Sequence, residues 1–488
     1  MPLIRGRAGG SLHNKRSSQF GDCLSGTGSA ETAMPDVGVC MRSGGSMRLG
    51  LREAASVALA ASISGLVWLP NVPSVVSAIS VAILVCTLVV ELARNQEKLS
   101  ISTVDWLVML FVAVRVFALW NEPQDLGGFD AVVSLVVSLA VFLSMALPRW
   151  DDRLARRVMA TFTLSATVVA AVHWWLSRGY VAVAGSNAIE VELLARGINR
   201  NEFGQLLAVA VILAFLFIRL SRRNGARRLF WTAILVFDLA FLVVLGSRAS
   251  LAMGLFGLLA NLIIERPQYA YWVAAALACM AALLPRSLAW ISSMGAAAPE
   301  TLIRGAALVQ ALMTGDTSQI AVASAGRVPI WQAGLASFAS SPIWGVGEAG
   351  ARSMMLQRVG IYAYAHSTLI ILLAESGLVG AIVYYACCLV LAGRLIRLVR
   401  EGHDSEKHIV ATLLACELAI LITGVFAVTG LDKIAFMLLG LGTALVSRRI
   451  REKHGGNGAG ASPTDAEVSA KHSNRKSRGA GAGPEEAM

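Results

Sequence analysis

The sequence predicts an all-α integral membrane protein: about twelve transmembrane helices and one long outer loop containing short amphipathic helices. Three observations lead there. Hydrophobic residues fill 56% of 488 positions and charged residues only 15%, where a soluble domain carries roughly 25% charged. Mean hydropathy is +0.64. Apolar runs long enough to cross hydrocarbon recur along the chain, and Lys/Arg clusters fall in alternate connections between them. A soluble fold of this length lacks the interior to hide so much apolar surface, because surface falls too slowly with size. Soluble enzymes, coiled coils and disulfide scaffolds are therefore excluded.

Residues 1–48 are rich in Gly, Ser and Arg without an apolar period, which predicts a disordered stretch. The first apolar run starts near Ala54 and is too long for a cleaved signal peptide. Met41 and Met47 are alternative starts. Spans follow at 53–70, 72–93, 103–120, 129–147, 157–177, 203–220, 229–246, 249–264 and 270–290, which places nine of them within residues 49–290. Residues 291–365 form the long loop, with amphipathic stretches at 301–313 and 328–340. Pro329 suits a first helical turn and Pro342 ends the second stretch. Three spans at 367–392, 408–428 and 431–447 fall within residues 366–450. Residues 451–488 are Gly/Ala/Ser-rich and predict a disordered tail.

The charge of +11 reports orientation rather than nucleic acid. Arg94, Lys98, Arg149, Arg153, Arg156, Arg157, Arg222, Arg223, Arg394, Arg397 and Arg448 all fall on the side shared by both ends of the chain. That side is the cytoplasm by the positive-inside rule. Segment 178–202 and the long loop then lie on the opposite face. The seven cysteines form no C-x-x-C pair, so neither a disulfide framework nor a metal site is indicated.

Unusual polar residues gather on that outer face. Arg248 follows Gly246-Ser247 in a short turn, against the orientation rule, so it requires a function, a local partner or a headgroup. Arg115 lies inside the third span, about 7.5 Å from its outer end. There it serves a function or snorkels to the headgroups. Arg196, Arg200, Asn199 and Asn201 crowd the outer mouth of the sixth span, where guanidiniums suit phosphate oxygens and Asn also suits a helix cap. Arg327 and Trp331 sit where the 328–340 stretch begins. Gly345 and Gly347 mark a turn after Pro342. A dinucleotide fold is rejected for this G-x-G-x-x-G because the βαβ context is missing. His366 precedes the tenth span, and its ordinary pKa allows proton transfer near neutrality. Glu375 lies about 13.5 Å into that span. Helical phase turns it away from His366, toward a pairing with a neighbouring helix.

The order and placement of these pieces resemble the O-antigen ligase and polysaccharide polymerase family over residues 196–380. The matching pieces are Arg196 with Asn201, Ser247-Arg248, Gly326-Arg327 with Trp331, Pro342 with Gly345 and Gly347, and Ala365-His366 followed by Glu375-Ser376-Gly377. Ser367 stands where many relatives have Asn, and Arg200 where Pro is frequent. The resemblance implies transfer of a glycan from undecaprenyl diphosphate to an acceptor hydroxyl at the periplasmic face of the bacterial inner membrane. The acceptor would be a growing glycan or lipid A core. It implies an inverting enzyme without nucleotide sugar, metal or other cofactor, surrounded by membrane lipids and not engaging nucleic acid. His366 would be the general base, with Arg248 and Arg327 on the diphosphate, helped by Arg196, Arg115 and Asn201. Glu375, Trp331, Gly345 and Gly347 would support the site. Competing readings are a protein O-oligosaccharyltransferase, a secondary transporter, and a peptidoglycan polymerase using an outer-loop carboxylate such as Glu300 or Asp316. A transporter would show internal repeats and broken midplane helices, which the sequence lacks.

Overall fold

The computed structural model describes residues 54–63, 102–120, 128–146, 152–181, 187–196, 198–276, 327–360, 364–402, 404–429 and 433–458, with isolated positions between 79 and 89 and between 278 and 315. Every regular element among the described residues is an α-helix. After a short apolar helix, Ala54–Ile63, the chain forms α1 (Thr103–Trp120), α2 (Gly128–Ala146), α3 (Asp152–Ser177), α4 (Ala188–Ala195), α5 (Arg200–Leu220), α6 (Gly225–Leu245) and α7 (Arg248–Glu265). Then come α8 (Arg327–Ser340), α9 (Gly347–Val359), α10 (Thr368–Glu401), α11 (Asp404–Gly424) and α12 (Lys433–Gly458).

Six of these, α3, α5, α6, α7, α10 and α11, are long and apolar enough to cross a membrane. The chain is thus a multi-pass membrane protein. Helices α1, α2 and α12 cover the third, fourth and twelfth predicted spans. Most of the second and ninth spans, and most of the loop up to residue 326 with Glu300 and Asp316, lie outside the described residues.

Helix α5 is the central post. Its 18-residue apolar window is 78% buried, and it touches α3, α6, α7 and α11. Residues 206–214 are apolar on every side of the helix, the pattern of one enclosed by other helices rather than facing lipid on one stripe. Gly254 and Gly257 of α7 let that helix approach closely: a Cβ on Gly254 would touch Ala208, and one on Gly257 would collide with Ile212. Helix α10 packs on α1, α8, α9 and α11, and α12 packs on α2.

Several ends differ from the predicted spans. Helix α10 continues past residue 392 to Glu401, carrying Arg394, Arg397 and Arg400 out of the apolar layer on a helical extension. Helix α12 runs to Gly458, beyond the residue 451 at which the tail was expected to begin. Helix α11 ends at Gly424, four residues before the predicted 428, so residues 425–429 are a connection rather than membrane helix. The outer segment 178–202 contains α4, which apolar length alone did not reveal. Asn187 caps α4 by accepting from Glu190 N–H at 2.8 Å, and its amide donates to the Val244 carbonyl at 2.6 Å. The cap therefore moors α4 to the end of α6.

Candidate functional site

One end of the bundle gathers the first residues of α5, α7, α8 and α10. Asn199 caps α5, accepting from Asn201 N–H at 2.9 Å, and so Arg200 is its first helical residue. Asn201 then joins α5 to α7. Its side-chain oxygen accepts from Ser247 Oγ at 3.0 Å and its carbonyl from Ser250 Oγ at 3.1 Å. Gly204, one turn on, leaves room for this contact, since a Cβ there would lie 2.7 Å from Ser250 Cβ. These bonds set Arg248, the first residue of α7, beside Arg200. Arg327, the first residue of α8, stands within electrostatic reach of both. Its pKa is lowered by burial, then by the charges of Arg248 and Arg200. Its guanidinium donates to the Phe426 carbonyl at 3.0 Å.

His366 lies just before α10. It adopts φ 51, the one positive φ of a non-glycine residue among the described residues. Such a conformation is sparsely populated by L-residues and marks a position fixed by its surroundings. Ala365 before it is buried, and Ser367 after it caps α10. Burial pushes the His366 pKa below its ordinary 6.5, and the charge of Arg327 lowers it further. The imidazole is consequently neutral at neutral pH and carries a lone pair for a proton, beside a cluster of cations. This is the electrostatic arrangement that accepts an anion and removes a proton in one place.

The remaining site residues predicted from sequence occupy other surroundings. Arg196 donates to Glu192, which also lies 2.8 Å from His173 Nδ1, both of these fully buried. Arg115 donates to Glu375 at 2.5 Å and to Ser376 Oγ at 3.1 Å, and lies 3.8 Å from Glu348. The partner expected for Glu375 on a neighbouring helix is thus Arg115 of α1. Arg352 and Tyr364 complete this second group. Arg352 donates to Glu348, Tyr364 Oη donates to Glu348 at 2.9 Å, and the Arg352 guanidinium sits 3.8 Å from the Tyr364 ring centroid. Trp331 is partly buried one turn into α8, with an indole N–H that lacks a protein partner among the described residues.

Gly345 and Gly347 both have φ 75. They form half of a backbone joint whose other half is Glu375-Ser376-Gly377. Gly377, at φ 64 and ψ −165, interrupts α10. The interruption exposes backbone groups that the loop completes. Val346 N–H donates to Ala374 O at 2.9 Å, Leu378 N–H to Pro342 O at 2.8 Å and Val379 N–H to Ile343 O at 3.2 Å. A Cβ on Gly345 would lie 2.5 Å from Ser376 N, and one on Gly377 would lie 2.6 Å from Gly345 N.

Two features of the site go beyond the sequence reading. Arg200, read there only as one of two arginines at the mouth of the sixth span, is a third cation near Arg327 and pairs with Glu190 at 2.5 Å. Its place directly after a capping Asn was the available signal. Residues 425–429, whose carbonyls meet Arg327, Ser367 and Thr368, gave no sequence signal, because they read as the end of an apolar span.

The fold and site together define a helical membrane protein with a cationic cluster and a neutral imidazole at one end of its bundle. Residues 197–385 match the family model described as O-antigen ligase. That stretch is about two-fifths of the chain, and over it the chain is similar to this family. No curated protein matches the chain.

Proposed function

We propose that the protein is an inner-membrane glycosyltransferase that moves a glycan from undecaprenyl diphosphate to an acceptor hydroxyl at the periplasmic face. The observation that carries this reading is the convergence of Arg200, Arg248 and Arg327 beside a neutral His366. The acceptor oxygen attacks the anomeric carbon, and His366 takes the hydroxyl proton. The bond from that carbon to the diphosphate oxygen breaks on the opposite side, inverting the centre. Negative charge then grows on the leaving diphosphate. Fixed guanidiniums at the hydrocarbon edge stabilise it where the dielectric is low and water contributes little screening. Arginine suits this task, because its fork binds two phosphate oxygens and stays charged even when burial lowers its pKa.

Arg196, Arg115 and Asn201 support rather than form this pocket. Asn201 sets the spacing of α5 and α7. Arg196 pairs with Glu192 of its own helix, which bonds His173 of α3, and Arg115 ties α1 to Glu375 of α10 and Glu348 of α9. The reading is tested by complementing a deletion strain with His366→Ala and with Arg327→Ala. Each variant is expected to insert normally and to lose surface glycan, with transfer falling roughly 10²–10³-fold or more. Normal polymer from both variants refutes the assignment. The glycan of the deletion strain itself separates the two family activities. Single repeat units identify a polymerase, and long chains left on the carrier identify a ligase.

A further inference from the structure

Residues 425–429 carry no charged side chain, yet several elements hang from their backbone. Arg327 of α8 donates to the Phe426 carbonyl at 3.0 Å. Ser367 Oγ donates to the Val425 carbonyl at 2.9 Å. Thr368 N–H donates to the Ala427 carbonyl at 3.1 Å. The Thr368 hydroxyl donates to the Thr429 carbonyl at 2.5 Å and accepts from Thr429 N–H at 2.8 Å. Gln205 of α5 donates to the Val428 carbonyl. Thr429 Oγ1 donates to the Ile420 carbonyl at 2.8 Å, which folds the segment back onto α11.

Thr368 is 1% exposed and its hydroxyl both gives and receives a hydrogen bond. A valine of similar shape would leave a buried carbonyl and a buried N–H without that partner. His366 is two residues away on the same strand of backbone, and Arg327 hangs one carbonyl from Ala427. We propose that Thr368 is a positioning residue for the transfer reaction: by clamping residues 425–429 to the start of α10, it fixes the spacing between the His366 imidazole and the Arg327 guanidinium. The inference rests on the glycan-transfer reading of that pair.

The charged group that α8 turns toward His366 is Arg327, with Arg248 of α7 and Arg200 of α5 behind it. Residues 425–429 bring no titratable group. The pH midpoint at which His366 becomes reactive thus reports its burial first and, at a given burial, how close Arg327 stands. The test uses the purified full-length chain in detergent. Modification of His366 by diethyl pyrocarbonate is followed across pH by peptide mass spectrometry, and affinity is measured for undecaprenyl diphosphate.

In Thr368→Val the midpoint should rise toward the ordinary imidazole value of about 6.5, and undecaprenyl diphosphate should bind roughly fivefold more weakly. Thr368→Ser should keep both wild-type values. A purely structural role would lower the melting temperature and leave midpoint and affinity in place, which overturns the proposal. Should Thr368→Val not yield folded protein, Ser367→Ala carries the same two readouts with the same expected direction. Arg327→Ala separates the two levels of inference. If it moves both readouts while the clamp variants move neither, positioning by Thr368 is wrong and the site reading stands. If Arg327→Ala itself moves neither, the site reading falls.

Discussion

Burial, and then the charge of Arg327, depresses the protonation of His366, and this sets how the rate responds to pH. His366 must be neutral to accept a proton, and its pKa lies below the ordinary 6.5 because of burial and then Arg327. The neutral form therefore persists as pH falls past the ordinary value, and is lost only below it. The acid limb of the kcat/KM profile should lie under pH 6.5, and in Arg327→Lys it should stay low, since a cation remains. On the proposed glycan transfer, the same Lys variant should nonetheless lose roughly tenfold or more in kcat/KM, because an ammonium cannot grip two diphosphate oxygens at once. An acid limb at or above pH 6.5 in the wild type would contradict the placement of His366. Both residues stood out in the sequence, Arg327 as a cation on the face where the orientation rule expects few and His366 as a lone His before the tenth span. Their shared support was not. Residues 425–429 act through main-chain carbonyls, and main-chain groups are the same in every sequence.

The joint at Gly377 is the feature that organises the elements around the site. It splits α10 into an outer arm, residues 368–376, and a long inner arm that continues to Glu401. Gly345 and Gly377 each combine a positive φ with a backbone contact too close for a side chain. Gly377→Ala should cost about 1–3 kcal/mol for a backbone conformation that essentially only glycine adopts and a further ~1–3 kcal/mol for the collision with the facing turn. Thermal unfolding in detergent should register the sum as a clear fall in melting temperature. Arg115→Ala should be worse than its double variant. Arg115 and Glu375 are both mostly buried, at 13% and 3% side-chain exposure, and removing one partner of a buried pair costs about 3–5 kcal/mol while replacing both costs little. Arg115→Met with Glu375→Gln is expected to regain most of the stability that Arg115→Ala loses. Equal losses in the two proteins would show that the pair contributes no such coupling. The sequence displayed the pieces of this joint as two unrelated glycine motifs. Their contact depends on a break in α10 that apolar periodicity does not encode, since apolar runs flank Glu375-Ser376-Gly377 on both sides.

At the scale of the molecule, ion pairs close the end of the bundle opposite the pocket. Arg448 of α12 bonds Asp152 of α3 at 2.6 Å and Glu406 of α11 at 2.9 Å, and Arg219 of α5 pairs with Glu265 of α7. These cations sit where the charge rule places the cytoplasm. Cysteines introduced at Ser341 and Gly402 in a cysteine-free background should react with an impermeant maleimide from opposite sides, Ser341 from the periplasm. Labelling of both from one side would break the topology. Hydropathy made most long helices legible, because lipid imposes length and apolarity on any helix that crosses it. It did not reveal α4 or α9, short helices whose order comes from caps and ion pairs. The arginine cluster also has a source of positive potential that no side chain owns. Four helices begin there, and each start carries about half an elementary charge from its aligned peptide dipoles. Anionic lipid should therefore still accumulate at this mouth after any one guanidinium is removed, so that single-arginine variants lose turnover well before they lose attraction.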